Sequence, residues 1–157
     1  MGWWSPTIMG GDPPMDAECE ILMFLGVEDD LEAADLGWDD ADAHGMLAAA
    51  FETKTVQDWI DFLDSIDESD QGITVQVLVL MIMQLGLPLD GELTDRVTKS
   101  CAAEDVSDWG TDAGERRARL DELVATAHSY DGTPKELPSE GLFQKIFADL
   151  GTTSTMH

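Results

Sequence analysis

Fifteen residues from Ile73 to Leu87 form an apolar stretch broken only by Thr74, Gln76, Gln84 and Gly86. A membrane-crossing helix needs ~18 such residues, so the stretch is too short to span and reads as a core element. Gly86 and Pro88 supply a helix stop, which makes a central buried helix the leading interpretation. The β-branched opening Ile73-Thr74-Val75-Gln76-Val77 alternates like a strand, and a strand over 73–80 stays open at this level. The chain has 157 residues, 43% of them apolar, which suits one ordinary core.

The flanking sequence is read as helices that cover that element. Asp12-Pro13-Pro14 is helix-start chemistry, and a helix is expected from about Pro14 to Leu25, with Met15, Cys19 and Leu22 facing inward and Gly26 closing it. A short helix through Leu31 and Ala34, ended by Gly37, should precede an alanine-rich helix around Met46 to Phe51. The next start is the plainest: Thr55 as N-cap with Asp58 three residues on makes a capping box in which Asp replaces the usual Glu or Gln. Val56, Trp59, Ile60, Leu63 and Ile66 then share one apolar face, with Asp58, Asp61, Asp64, Asp67 and Glu68 around the other side. Asp70-Gln71-Gly72 is read as a chain break. Leu93, Val97 and Cys101 mark another helix, Leu120, Leu123, Val124 and Ala127 a further one, and Leu142, Phe143, Ile146, Phe147 and Leu150 a last one capped by Ser139. The expected fold is therefore all-α, six to seven helices around the central apolar helix at 73–87, with a short irregular or strand segment at the N-terminus. Residues 1–151 form a single acidic helical domain, and 152–157 a frayed tail.

Charge limits the partners. Thirty-three carboxylates against eight bases give a formal net charge of −25. Binding a nucleic-acid backbone directly requires Lys and Arg to displace counterions, so that role is excluded, while basic surfaces are attracted and their encounter accelerated. The imbalance is uneven: residues 1–75 hold nineteen acids and one base, Lys54, whereas residues 76–157 hold fourteen acids and seven bases. Salt adaptation alone would coat both halves. The Met-Gly-Trp-Trp-Ser-Pro opening lacks the basic start and apolar run of an export signal, and Pro6 stands where a myristoylation signal wants Ser or Thr, so a cytoplasmic protein without membrane association is expected.

Catalytic motifs are missing. The three histidines have no His-Glu-x-x-His spacing, Cys19 and Cys101 carry no partner motif and are read as buried core thiols, no Ser sits in a G-x-S-x-G elbow, and Asp12 follows Gly10-Gly11 where a phosphate cradle could not tolerate it. Asp40, Asp42, His44 and Gly45 fall on calcium-loop positions, as do Asp67, Ser69 and Gly72, but position twelve is Phe51 in the first case and Leu78 in the second. No catalytic residue, metal site or cofactor is assigned. Arg116, Arg117 and Arg119 are read as a salt-bridged surface helix, with Glu115 paired to Arg119 and Arg117 to Asp121.

Carboxylates at three- and four-residue spacing on the Thr55 helix stand ~5 to 6 Å apart at Cβ, of the same order as successive phosphates on a nucleic-acid strand. That is how a DNA mimic engages a basic groove. The expected partner-binding residues are Asp39, Asp40, Asp42, Asp58, Asp61, Asp64, Asp67 and Glu68, with Trp3 and Trp4 either lidding the core or serving as anchors. The expected function is non-catalytic: an inhibitor or modulator of a basic protein, such as a phage-type or mobile-element-type antagonist of a nucleic-acid enzyme. A small enzyme or ligand-binding domain assembled from distant residues, and a solvated acidic domain of another role, remain the alternatives. A homodimer through the Trp3-Trp4 region is also compatible with the sequence. Met1-Gly2-Trp3-Trp4-Ser5, followed by Asp12 and Asp16, resembles the start of small acidic bacterial proteins grouped as a domain of unknown function, which open with a Met-Gly-x-Trp motif and an acidic helix. The resemblance covers about a tenth of the chain and implies no activity.

Overall fold

The apolar stretch is helical throughout. The structure, a computed structural model, describes Ile8 and residues 11–27 and 41–135. Among these, six α-helices occur and no strands: α1 (Asp12–Leu25), α2 (Ala41–Glu52), α3 (Val56–Asp64), α4 (Glu68–Leu85), α5 (Gly91–Ala103) and α6 (Ala113–Ser129), with a 3-10 turn at Val106–Asp112 before α6. α4 lies at the centre and is packed by α1, α3, α5 and α6. Twelve consecutive residues, Thr74–Leu85, are buried on every side. A helix satisfies its own backbone donors and acceptors, whereas a strand here would need a pairing strand in the core. That requirement overrides the β-branched propensity of Ile73 to Val79. No helix among the described residues is long and apolar enough to cross a membrane.

The start of α4 departs from expectation. Asp70-Gln71-Gly72 does not break the chain but forms part of the helix: the Asp67 carbonyl accepts the N–H groups of Asp70 (2.8 Å) and Gln71 (3.2 Å), closing the first turn there. Gly72 serves close approach instead. A Cβ at that position would lie 3.1 Å from Ser100 Oγ, and the Ser100 hydroxyl donates to the Gly72 carbonyl at 2.9 Å, drawing α5 onto α4. Residues 42–45 and 68–72 are both helical, so neither calcium-loop candidate forms a loop. The short helix expected near Leu31 and the last one after Ser139 lie outside the described residues.

α1 begins and ends close to expectation, with Gly26 in the left-handed conformation (φ 75°) donating to Leu22 and Met23 carbonyls. Its inward face matches expectation at Leu22 and, half-buried against the core, at Met15, but not at Cys19. Pro14, Ala17, Glu18, Ile21, Leu22 and Leu25 are buried, while Cys19 is exposed. The i, i+3, i+4, i+7 pattern through 14, 17, 18, 21 and 25 fits a helix lying on α4 better than the 15, 19, 22 series, and it carries the Glu18 carboxylate inside. The two thiols therefore differ. Burial, then the nearby Glu104 charge, pushes the Cys101 thiol up to about 12. Titration with a disulfide reagent at neutral pH should give one fast thiol per native chain, Cys19, and a second only after denaturation; two fast thiols would contradict this packing.

α6 is not simply a surface helix. Its exposed pairs are those expected, Arg117 with Asp121 at 3.7 Å and Arg119 with Glu115 at 3.8 Å, joined by Arg119 with Glu122 at 3.2 Å. Pairs this exposed contribute little. Arg116, by contrast, is wholly buried. Its Nε donates to Glu104 Oε2 (2.6 Å) and its Nη2 to Glu104 Oε1 (2.9 Å) and Gln76 Oε1 (3.2 Å), with the guanidinium 5.0 Å from the Trp109 ring centroid. Gln76 Nε2 in turn donates to Ser100 Oγ at 3.0 Å. Arg117 closes the end of α5 by donating to the carbonyls of Cys101 and Glu104. This chain of polar contacts ties α4, α5 and α6 together through groups that would be costly to bury singly.

Candidate partner-binding surface

α3 forms where its sequence says it should. The Thr55 hydroxyl accepts the Asp58 N–H at 3.1 Å and the Asp58 carboxylate accepts the Thr55 N–H at 2.8 Å, completing the capping box. The backbone bond from Thr55, and then its side-chain bond, hold the Asp58 carboxyl below its ordinary value. Trp59, Ile60 and Leu63 turn inward. Trp59 and Phe62 meet Phe24 of α1, with centroid distances of 5.1 and 4.5 Å from Phe24, which joins α1 to α3.

The expected site residues divide into three groups. Asp42, Asp61, Asp67 and Glu68 are exposed. Asp58 and Asp64 are already engaged within the chain, Asp58 in the capping box and Asp64 by Arg96 of α5 at 2.9 Å. Trp3, Trp4, Asp39 and Asp40 lie outside the described residues. Asp61 is also oriented, accepting from Gln57 Nε2 at 2.9 Å.

Packing brings together further acids of the N-terminal half besides those named above. Asp16 and Glu20, one turn apart on α1, stand across from Asp70 of α4 around a cleft of about 260 Å³ floored by Ala17, Ile73 and Thr74. The four-residue spacing of Asp16 and Glu20 is visible in sequence, but the approach of Asp70 is not, since it follows from how α1 lies on α4. Among the described residues no three His, Cys, Asp or Glu side chains are grouped to hold a metal ion. The arrangement instead offers several separated carboxylates to cationic side chains. Before Arg96 the chain has a single base, Lys54, and its Nζ stands over the Phe24 ring at 4.3 Å.

A second feature adjoins α3. Phe51 and Glu52 from the end of α2, Val56 and Trp59 from α3, Ile82 from α4, and Leu87, Leu89, Asp90 and Leu93 around the start of α5 line a mainly apolar cleft of about 420 Å³. Comparison with protein-family models, with curated proteins and with solved structures gives no match to this chain.

Proposed function

We propose that this chain is a non-catalytic acidic interaction protein that binds the basic surface of another protein, acting as an inhibitor or modulator in the manner of a DNA mimic. One observation supports the reading above others: Asp16, Glu20 and Asp70 from two helices border one cleft, in a half of the chain where Lys54 is the lone base. Asp61 of α3 and Asp67 just before α4 are also exposed, and exposed Glu68 borders a separate cleft with Arg96 and Lys99 of α5. Side chains fixed on helices need little ordering to meet a cationic groove, which favours binding over a mobile acidic tail. A partner that normally binds nucleic acid would recognise this spacing of charge, and the steered encounter would be fast at low salt.

Capture of partners from a cell extract onto immobilised protein tests this. The retained proteins should be basic and nucleic-acid-binding, should be lost steeply as salt rises from about 50 to about 200 mM, and should be displaced by short duplex DNA. Retention indifferent to salt and to DNA would refute the proposal.

A further inference from the structure

We propose that the apolar cleft between α2, α3 and the start of α5 receives the hydrophobic side of a basic amphipathic helix presented by the partner. This deepens the reading above and rests on it. The floor is built from Phe51, Trp59, Ile82 and Leu93, each less than a tenth exposed, with half-buried Leu87 and Leu89 at the rim. A space of about 420 Å³ takes a few aliphatic side chains or one large aromatic, the anchor pattern of a helix lying in a groove. The choice of occupant follows from charge. Exposed Glu52, ending α2, and exposed Asp90, whose carboxylate also caps α5 by accepting the Glu92 N–H at 2.8 Å, both line the cleft. The cation that also lines the cleft, Lys54, has its Nζ over the Phe24 ring. An apolar anchor flanked by Lys or Arg one turn to either side would satisfy both the apolar floor and the lining carboxylates.

The test uses two synthetic probes of equal charge: a helical Lys/Leu peptide apolar along one side, and an oligolysine. Titration calorimetry on the full chain should give the amphipathic peptide about tenfold tighter binding, reflecting burial of its leucines. Leu89→Asp separates the two forces acting on the peptide. It adds negative charge, so binding driven by charge alone would strengthen, whereas the cleft predicts a loss of about tenfold for the amphipathic peptide and none for oligolysine. Glu52→Lys should weaken the amphipathic peptide more than Glu115→Lys, a change of equal charge on α6, which keeps the question decidable if Leu89→Asp does not fold. Equal affinity for both probes, or tighter binding by Leu89→Asp, overturns the cleft while leaving the acidic-surface reading intact. Binding of neither probe overturns both. A dimer of the free chain that Leu89→Asp dissociates would assign the cleft to a second copy and overturn the proposal.

Discussion

Arg116→Met is expected to lower the unfolding free energy by about 3–5 kcal/mol, because it strands the Glu104 carboxylate beside the core without its cation. The methionine fills much of the space, so the loss is electrostatic more than steric. Glu104 loses both of its bonds from Arg116, and Gln76 Oε1 loses a donor. Replacing Glu104 by Leu in the same chain should recover most of the deficit, since a buried pair is often no better than the apolar residues that replace both partners. Urea midpoints for the two single variants and the double variant check this. Additive losses would show that the pair is not coupled.

The same contact sets a pH dependence. Burial pushes the Glu104 carboxyl up, but the Arg116 hydrogen bonds and charge, followed by bonds from Gln76 and Trp109, outweigh it and leave the group below its ordinary value of 4.5. A carboxylate whose folded value is depressed contributes stability that is complete above the unfolded value and is lost as pH falls through the folded one. The stability gap between wild type and Glu104→Gln should therefore be constant above about pH 5 and close on acidification below that. Taking the difference removes the opposing effect of relieving repulsion among the other carboxylates.

Gly86→Val is expected to cost about 2–4 kcal/mol, for two reasons that act together. Gly86 ends α4 with φ 74°, a conformation that a β-branched residue adopts only with strain. A Cβ there would also fall 2.7 Å from Pro134 Cγ and 3.3 Å from the Gly132 carbonyl. That turn is held to the end of α4 by the Lys135 N–H on the Met83 carbonyl (2.9 Å) and by the Tyr130 hydroxyl on the Leu87 carbonyl (2.6 Å), so it does not yield easily. Thermal melts of Gly86→Ala and Gly86→Val should show the alanine variant intermediate. Equal, small losses would mean that residues 130–135 do not pack on the cap.

What sequence could and could not reveal follows the range of the interactions. Thr55 with Asp58, and Gly26 and Gly86 as helix stops, act within a few residues, and the structure has them as expected. The central helix was legible from its apolarity, and its neighbours α5 and α6 from Leu93, Val97, Cys101, Leu120, Leu123 and Ala127, all of which are buried. Gly72 looked like a breaker because the residue that needs its missing side chain, Ser100, is distant in sequence. Arg116 looks like a surface cation in sequence because its partners, half-buried Glu104 at the C-cap of α5 and buried Gln76 of α4, are brought to it only by packing. On α1 the choice between Cys19 and Glu18 as the inward residue turned on the register against α4, and the preference for burying a thiol over a carboxylate pointed the wrong way. The acids of the candidate surface divide similarly: the spacing along α3 is local, whereas the meeting of Asp16, Glu20 and Asp70, and the diversion of Asp64 to Arg96, depend on packing.

The proposed surface depends on the position of negative charge and not merely on its quantity. Two variants of equal net charge separate these: one neutralises Asp16, Glu20, Asp61, Asp67, Glu68 and Asp70 as Asn or Gln, the other Glu92, Asp95, Asp112, Glu115, Asp121 and Asp131. Affinity for the captured basic partner is then measured against salt concentration. The first variant should lose at least about tenfold in affinity and show a flatter salt dependence, while the second stays close to wild type. Equal losses in the two variants would contradict the account, leaving the acidity as a general coat with no surface of its own.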